Sequence, residues 1–363
     1  MNAPSSSLML APVSALYGAL TRARLALYKT GALAVHRIDA PVISVGNITA
    51  GGTGKTPLVA RIARILASRG LRVCILTRGY GRSDPKARVV VSDGENILAD
   101  ALEGGDEPRM LAEMLSGQAA VVSDRDRVAA ARWARSNLDS ELFILDDGFQ
   151  HLRMWRDLNI VLIDALDPWG GNRLLPRGLL REPRRNLSRA DCIVVSRAAQ
   201  AAGIETLLNE IKDLSGGRPV FISRVTNQRV RPLKGMDELE EDGSFKPSCP
   251  VAAFCGTGNP QAFFVQLGQD GYDTRLTRAF PDHHRYSQAD VDRLLREATA
   301  TGAEALLTTA KDAVKLGELS FALPCFVLEI ELGLDDEKGF SLLLDEVIRA
   351  AARGATESFE SLR

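Results

Sequence analysis

The sequence predicts an α/β protein: a P-loop NTPase-like, mostly parallel sheet domain, a second and smaller α/β domain, and an N-terminal amphipathic helix. Three observations carry that prediction. Apolar, β-branched runs alternate with amphipathic helical patterns from residue 42 onward. A glycine-rich loop falls between a strand pattern and a helix pattern. The 363 residues also exceed what one core usually serves.

Val42–Ile48, Arg72–Thr77, Ala119–Ser123, Glu141–Leu145, Asn159–Asp164, Asp191–Ser196 and Pro219–Ser223 read as strands, and Lys55–Ser68, Glu107–Leu115, Arg125–Ser136 and Gln200–Leu214 as helices. Continuous apolar strands need cover on both faces, which crossover helices supply. A polar stretch bearing Gly and Pro, 227–250, reads as a hinge or linker. Beyond it, Val251–Cys255, Thr274–Phe280, Ala305–Thr308 and Cys325–Glu331 read as strands, and Gln261–Gly268, Gln288–Thr299 and Gly339–Ala352 as helices. The expected division is an N-terminal helix (1–40), a P-loop domain (41–226), the linker (227–250) and a smaller α/β domain (251–363).

The segment from Leu8 to Thr21 carries no charge but is too short to span a bilayer, and its basic residues Arg22, Arg24 and Lys29 follow it, opposite to a signal peptide. Val13, Leu16, Tyr17, Leu20, Leu27 and Tyr28 recur at helical spacing. A helix in a membrane interface and a helix packed on its own domain both satisfy that pattern. The 45 Lys and Arg nearly balance the 46 Asp and Glu, so no nucleic-acid partner is expected. No protein partner is called for either. Five widely spaced cysteines and four histidines, without a CxxC pair, argue for reduced cytosolic thiols rather than a structural zinc site.

Thr49-Ala50-Gly51-Gly52-Thr53-Gly54-Lys55-Thr56 follows the first strand, and Pro57 stands at the start of the next helix, where a missing N–H does little harm. Strand, glycine loop and helix in that order are what a phosphate cradle requires. Backbone N–H groups and the helix N-terminus then face the phosphates. Lys55 would neutralise the β- and γ-phosphates, and the Thr56 hydroxyl would bind Mg²⁺. Thr49 stands where the strict pattern has glycine. The apolar run Leu142–Leu145 ends in Asp146-Asp147, acids suited to the Mg²⁺ shell, or simply to a turn before Gly148. No Asn-Lys-x-Asp run is present, so ATP with Mg²⁺ is the expected ligand pair.

Other segments point to the phosphoryl acceptor. Arg78-Gly79-Tyr80-Gly81-Arg82 follows the second strand and suits an anionic or sugar substrate, or is a plain turn. In Gly105-Asp106-Glu107-Pro108, Asp106 is either a helix cap or a carboxylate placed to accept a hydroxyl proton. Gln150 could orient the metal shell or the substrate, and His151 is either a surface or capping histidine or a catalytic one. Six arginines between Arg173 and Arg189, with interleaved leucines and the single acid Glu182, form a basic face that is either solvated or set against an anionic lipid surface. Phe280-Pro281-Asp282-His283-His284 is a loop whose histidine could serve as an acid, a base or an orienting partner, and could pair with a carboxylate such as Asp106.

These segments together resemble the tetraacyldisaccharide 4'-kinase family of the lipid A pathway of Gram-negative bacteria. The match runs from Pro12-Val13-Ser14-Ala15-Leu16-Tyr17-Gly18 through Val45–Pro57, Arg78–Gly81, Gly105–Pro108, Asp146–His151, Leu175-Pro176-Arg177-Gly178 with Arg181-Glu182, Asp282-His283 and Lys311-Asp312-Ala313-Val314-Lys315. Thr49 in place of glycine is the family habit. The resemblance implies transfer of the ATP γ-phosphoryl to the 4'-hydroxyl of an acylated glucosamine disaccharide 1-phosphate, with Mg²⁺, at the cytoplasmic face of the inner membrane. It implies Asp106 as base with His283 as its partner, Lys55 at the phosphates, and Thr56, Asp146, Asp147 and Gln150 around the metal. Arg78, Tyr80, Glu107, His151, Arg177 and Arg181 are the matching substrate contacts. Ala310 replaces the Glu that relatives often carry, so no role is assigned around Lys311. The rival is a membrane-bound ATPase switch of the deviant P-loop type, which would carry Lys at Ala50. A metal-delivery GTPase would need Cys/His clusters and the guanine motif.

Overall fold

The computed structural model describes residues 10–233 and 248–360. Helix α1 (Ala11–Lys29) leads into β1 (Val42–Asn47), α2 (Lys55–Ala67), β2 (Val73–Thr77), β3 (Val89–Ser92), α3 (Ala101–Gly104), α4 (Asp106–Met114), β4 (Ala119–Ser123), α5 (Arg127–Asn137), β5 (Leu142–Asp146), β6 (Leu158–Asp164), β7 (Cys192–Ser196), α6 (Ile204–Ser215) and β8 (Val220–Pro232). After the second described stretch begins come β9 (Val251–Cys255), α7 (Pro260–Gln269), β10 (Thr274–Ala279), α8 (Gln288–Ala300), β11 (Ala305–Thr309), α9 (Ala310–Ala313), β12 (Cys325–Leu334) and α10 (Glu337–Glu360).

The described strands form one sheet in the order β10-β9-β11-β12-β8-β7-β6-β1-β5-β2-β4-β3. From β8 to β4 all neighbours are parallel, and β3 closes that edge antiparallel. Strands β1, β2, β4, β5, β6 and β7 are buried along their whole length, because helices cover both faces. The first lobe therefore has two core layers. One joins β1, β2 and β5 to α2 and α4, the other joins β6 and β7 to α6.

The two lobes are joined by a long antiparallel ribbon. Strand β8 pairs with β7 at Val220–Ile222 and with β12 from Ser223 to Pro232. The start of β12 carries β11, and through it β9 and β10. Residues 227–232 are thus strand, while 234–247 of the expected linker lie outside the described residues. The chain then returns: Leu332, Leu334, Phe340, Leu344 and Val347 pack into the first lobe's core. Arg61 pairs with Glu337 and Arg69 with Asp345, which fixes α10 to α2.

Helix α1 lies on the first lobe. Ser14 donates to the Leu174 carbonyl at 2.9 Å and Tyr17 to the Arg181 carbonyl at 3.0 Å. Gly18 packs closely there: a Cβ would come within 2.7 Å of Leu174 Cδ1, so that side chain would have to shift. The same helix leaves Val13, Leu16, Leu20 and Leu27 exposed. Among the described residues no helix is long and apolar enough to cross a membrane.

The 173–189 segment departs from the sequence expectation of a continuous basic face. Leu180 and Leu187 are buried, and Arg181, Arg184 and Arg189 pair inward with Asp147, Glu210 and Glu182. The leucines are drawn into the core, and the arginines beside them must then meet acids rather than water.

Candidate active site

Strand β1 delivers the glycine loop at the carboxyl edge of the sheet, between β5 and β6. Gly54 holds φ +87°, the left-handed conformation that turns the chain into α2. Asn47 donates from Nδ2 to Thr53 Oγ1 at 3.1 Å, and Ser196 donates to the Thr53 carbonyl at 3.0 Å. Thr49 is buried and bridges to Leu180, and Ala50 donates its N–H to the Leu179 carbonyl at 2.7 Å. Thr49 through Gly52 are therefore pinned from outside, while Lys55 and Thr56 open the helix.

The acidic pair splits at the end of β5. Asp146 completes the strand and is buried; Asp147 turns at φ +50°. The turn packs onto β1, because a Cβ on Gly46 would meet Phe149 at 2.7 Å and one on Gly148 would meet Ser44 Oγ at 2.7 Å. Asp147 accepts both contacts of Arg181 Nη1, at 2.8 and 2.7 Å, and lies 3.5 Å from Lys55 Nζ. Burial pushes its carboxyl up, but Lys55 and Arg181 outweigh burial and hold it below the usual range. Asp146 is the opposite case. Burial, Glu107 and Asp147 push its carboxyl up, against Lys55 and Arg127. Among the described residues no hydrogen bond or ion pair reaches the Asp146 side chain.

A buried carboxylate without a side-chain partner, near enough to Lys55 of the phosphate loop to feel its charge, suits a divalent cation that keeps most of its shell as phosphate and water. That chemistry needs no cluster of three or more metal-binding side chains, and none occurs among the described residues. Asp147 and Gln150, expected in the metal shell, are engaged elsewhere. Gln150 donates to the Asn47 carbonyl at 2.9 Å, and its oxygen lies 3.4 Å from Arg181. Thr56 and Asp146 remain as the direct candidates.

The second cluster brings the start of α4 together with the loop after β10. Asp106 opens α4, seated where Gly105 (φ +101°) packs on Gly79 and the Tyr80 carbonyl. His283 comes from the other lobe on the loop after β10, itself at φ +59°. Its Nδ1 lies 3.1 Å from Asp106 Oδ2. A carboxylate only accepts, so Nδ1–H donates and Nε2 faces the Lys311 ammonium 3.5 Å away. Lys311 also meets Asp282 at 2.9 Å and Glu107 at 3.5 Å. The Tyr80 ring is 5.3 Å from the His283 ring. Asp106, Glu107, Tyr80 and His283 are thus brought together, and Glu107 adjoins Asp146.

Three expected substrate contacts sit differently. Arg181 is turned to Asp147. Arg177 lies half-buried on the 173–180 turn. His151 is half-buried beside Arg127, 3.4 Å from its Nη1, and desolvation with Arg127 and Arg156 pushes it down to about 3. It stays neutral at working pH. Arg127 itself escaped the sequence reading. It is buried and close enough to Asp146, Asp147 and Arg78 to feel all three. The available signal was its place at the start of α5, where the helix dipole disfavours a cation unless acids face it. Lys315 is the other addition: it reaches both Asp106 and Asp312.

Comparison with known proteins agrees with this geometry. A family model described as tetraacyldisaccharide-1-P 4'-kinase matches residues 6–349. The chain is 40% identical over 346 residues to the tetraacyldisaccharide 4'-kinase of Geobacter metallireducens, covering 94% of this chain and 98% of that one. It is 40% identical over 343 residues to that of Geobacter sulfurreducens, covering 94% and 93%. It superposes on LpxK from Aquifex aeolicus, solved in complex with ATP, with TM-score 0.74 and 32% identity over 94% of this chain and 99% of that one. A phosphate loop, an unpartnered buried acid beside it and a carboxylate–histidine pair across the cleft thus occur in a chain that belongs to the tetraacyldisaccharide 4'-kinase family.

Proposed function

We propose that the chain transfers the γ-phosphoryl group of ATP to the 4'-hydroxyl of a tetraacylated glucosamine disaccharide 1-phosphate, with Asp106 as general base. The observation that carries this is the Asp106–His283 contact, set across the cleft from the phosphate loop. The hydroxyl oxygen attacks the γ-phosphorus, its proton passes to Asp106, and the bond from the γ-phosphorus to the β,γ-bridging oxygen breaks. Lys55 and the loop amides hold the phosphates in line. Mg²⁺, when bound, would neutralise charge on the β- and γ-oxygens, with Thr56 and Asp146 as its protein neighbours. His283 orients Asp106, and Arg78 and Tyr80 line the acceptor side. A deviant-Walker ATPase switch is not retained, because Ala50 stands where its lysine belongs.

The reading extends to the membrane. The exposed Val13, Leu16, Leu20 and Leu27 face of α1 would rest in the cytoplasmic surface of the inner membrane, peripherally, presenting acyl chains to the cleft. Residues 41–226 and 251–363 would act as the two units, with the β8–β12 ribbon as the flexible join. Incubation with γ-labelled ATP, Mg²⁺ and detergent-dispersed acylated disaccharide 1-phosphate tests the chemistry. Label in the lipid is expected; free phosphate without labelled lipid would overturn it. Leu16→Glu with Leu20→Glu should abolish flotation with anionic vesicles, and unchanged flotation would refute the membrane role.

A further inference from the structure

We infer that Lys315 is a positioning residue that fixes which oxygen of Asp106 faces the acceptor hydroxyl. The inference rests on the reading of Asp106 as the base. Lys315 is 7% exposed, and its Nζ lies 3.1 Å from Asp312 Oδ1 and 3.7 Å from Asp106 Oδ2. Beneath the ammonium, the Tyr286 ring centroid is 5.3 Å away. A desolvated ammonium in this position has two anionic partners and little freedom to leave them.

The anchor at one end is rigid. Asp312 is fully buried and accepts from the Gly256 N–H at 3.0 Å, the Tyr286 hydroxyl at 3.0 Å and the Thr309 hydroxyl at 2.7 Å. Those bonds tie it to β9, β11 and the loop before α8. Lys315 stands three residues further, in the turn after α9, where its N–H donates to the Asp312 carbonyl at 2.9 Å. Its charge is therefore carried by the second lobe's core to a fixed point.

At the other end both cationic or donor groups meet the same oxygen. His283 Nδ1 and Lys315 Nζ approach Oδ2 of Asp106, and no hydrogen bond is made to Oδ1 among the described residues. Oδ1 is the oxygen left to take the hydroxyl proton. The charged neighbours of this carboxylate are His283 and Lys315 in contact, Lys311 and Glu107 at the mouth, and Asp282 and Asp312 behind them. Lys311 already balances Glu107 and Asp282. Lys315 is the cation that compensates Asp106 beside the Nδ1–H of His283.

The test is steady-state kinetics of the full chain with saturating Mg²⁺·ATP and dispersed acylated disaccharide 1-phosphate, from pH 5.5 to 9. Lys315→Met should lower kcat roughly 10- to 100-fold, because an uncompensated carboxylate loses orientation and charge. KM for ATP should stay within about twofold, since no contact to the phosphate loop is lost. The acid limb of the kcat profile should move up by about one pH unit, as a carboxylate that loses a cation becomes more basic. Lys315→Arg should restore most of kcat and return the limb. Asp312 keeps its three hydrogen bonds in both variants, and melting curves should show both folded. Unchanged kcat and limb in Lys315→Met, or a loss that Lys315→Arg leaves uncorrected, would overturn the inference. Asp106→Asn is measured alongside: full activity there would remove the base assignment itself. A dead Asp106→Asn beside a normal Lys315→Met would remove only the positioning role.

Discussion

The phosphate-loop end and the cleft end of the site hold one carboxylate each by opposite means. Asp147 is gripped by Lys55 and Arg181, both from the first lobe. Asp106 is gripped by His283 and Lys315, both from the second, and His283 is 177 residues distant in sequence. The first arrangement exists whenever the first lobe is folded. The second is made between segments of the two lobes. The comparison teaches that the two ends can be perturbed separately.

Asp106→Asn gives the largest expected change. A lost general base typically costs about 10²–10⁴-fold in kcat, with KM for ATP unaltered. A similar rise in KM for ATP would merge the two ends and break the distinction. Lys55→Ala comes next, at roughly 10²–10³-fold, the usual loss for one preorganised charge at a transferring group. Here ATP binding should weaken too, seen by calorimetry with Mg²⁺·ATP; normal ATP affinity would contradict the cradle. Gly46→Ala separates packing from phosphate contact, because its new Cβ meets Phe149 at 2.7 Å inside the turn that bears Asp147. It should cost about 1–3 kcal/mol of stability by overpacking, read from urea unfolding.

Asp126→Ala is the smallest and lies outside both ends. Asp126 caps α5 by accepting from the N–H groups of Val128 and Ala129, each at 3.1 Å. Its loss should cost about 1 kcal/mol and leave kcat alone. Burial pushes this carboxyl up, but the cap bonds and Arg153 outweigh it and hold it below its ordinary value of 3.8. A depressed acid stabilises the fold above its ordinary value and loses that contribution as pH falls through the lowered one. The difference between wild type and Asp126→Ala should therefore be steady at neutral pH and vanish in acid. A difference that grows in acid would refute the assignment.

Much of the first end was legible in the sequence because it is local. The loop, its strand, its helix and the acidic strand end each lie in one short segment with its own period and turn chemistry. Core strands were legible for the same reason. Strand β3 was not: Val89–Ser92 is short and half-buried on an edge, and its pattern is weak. The fate of Arg181 and Arg184 was hidden because their acid partners, Asp147 and Glu210, come from other segments. Lys315 was hidden because its partner Asp106 is on another lobe. Long-range pairing depends on the order of strands in the sheet, which no local pattern encodes.

The central claim is that one catalytic unit is assembled from both lobes. A double-mutant cycle on kcat, with Asp106→Asn, His283→Gln and the pair, tests it most directly. The account predicts strong non-additivity, the double variant being no worse than Asp106→Asn alone. Additive losses would mean that the two residues act independently, and would contradict it.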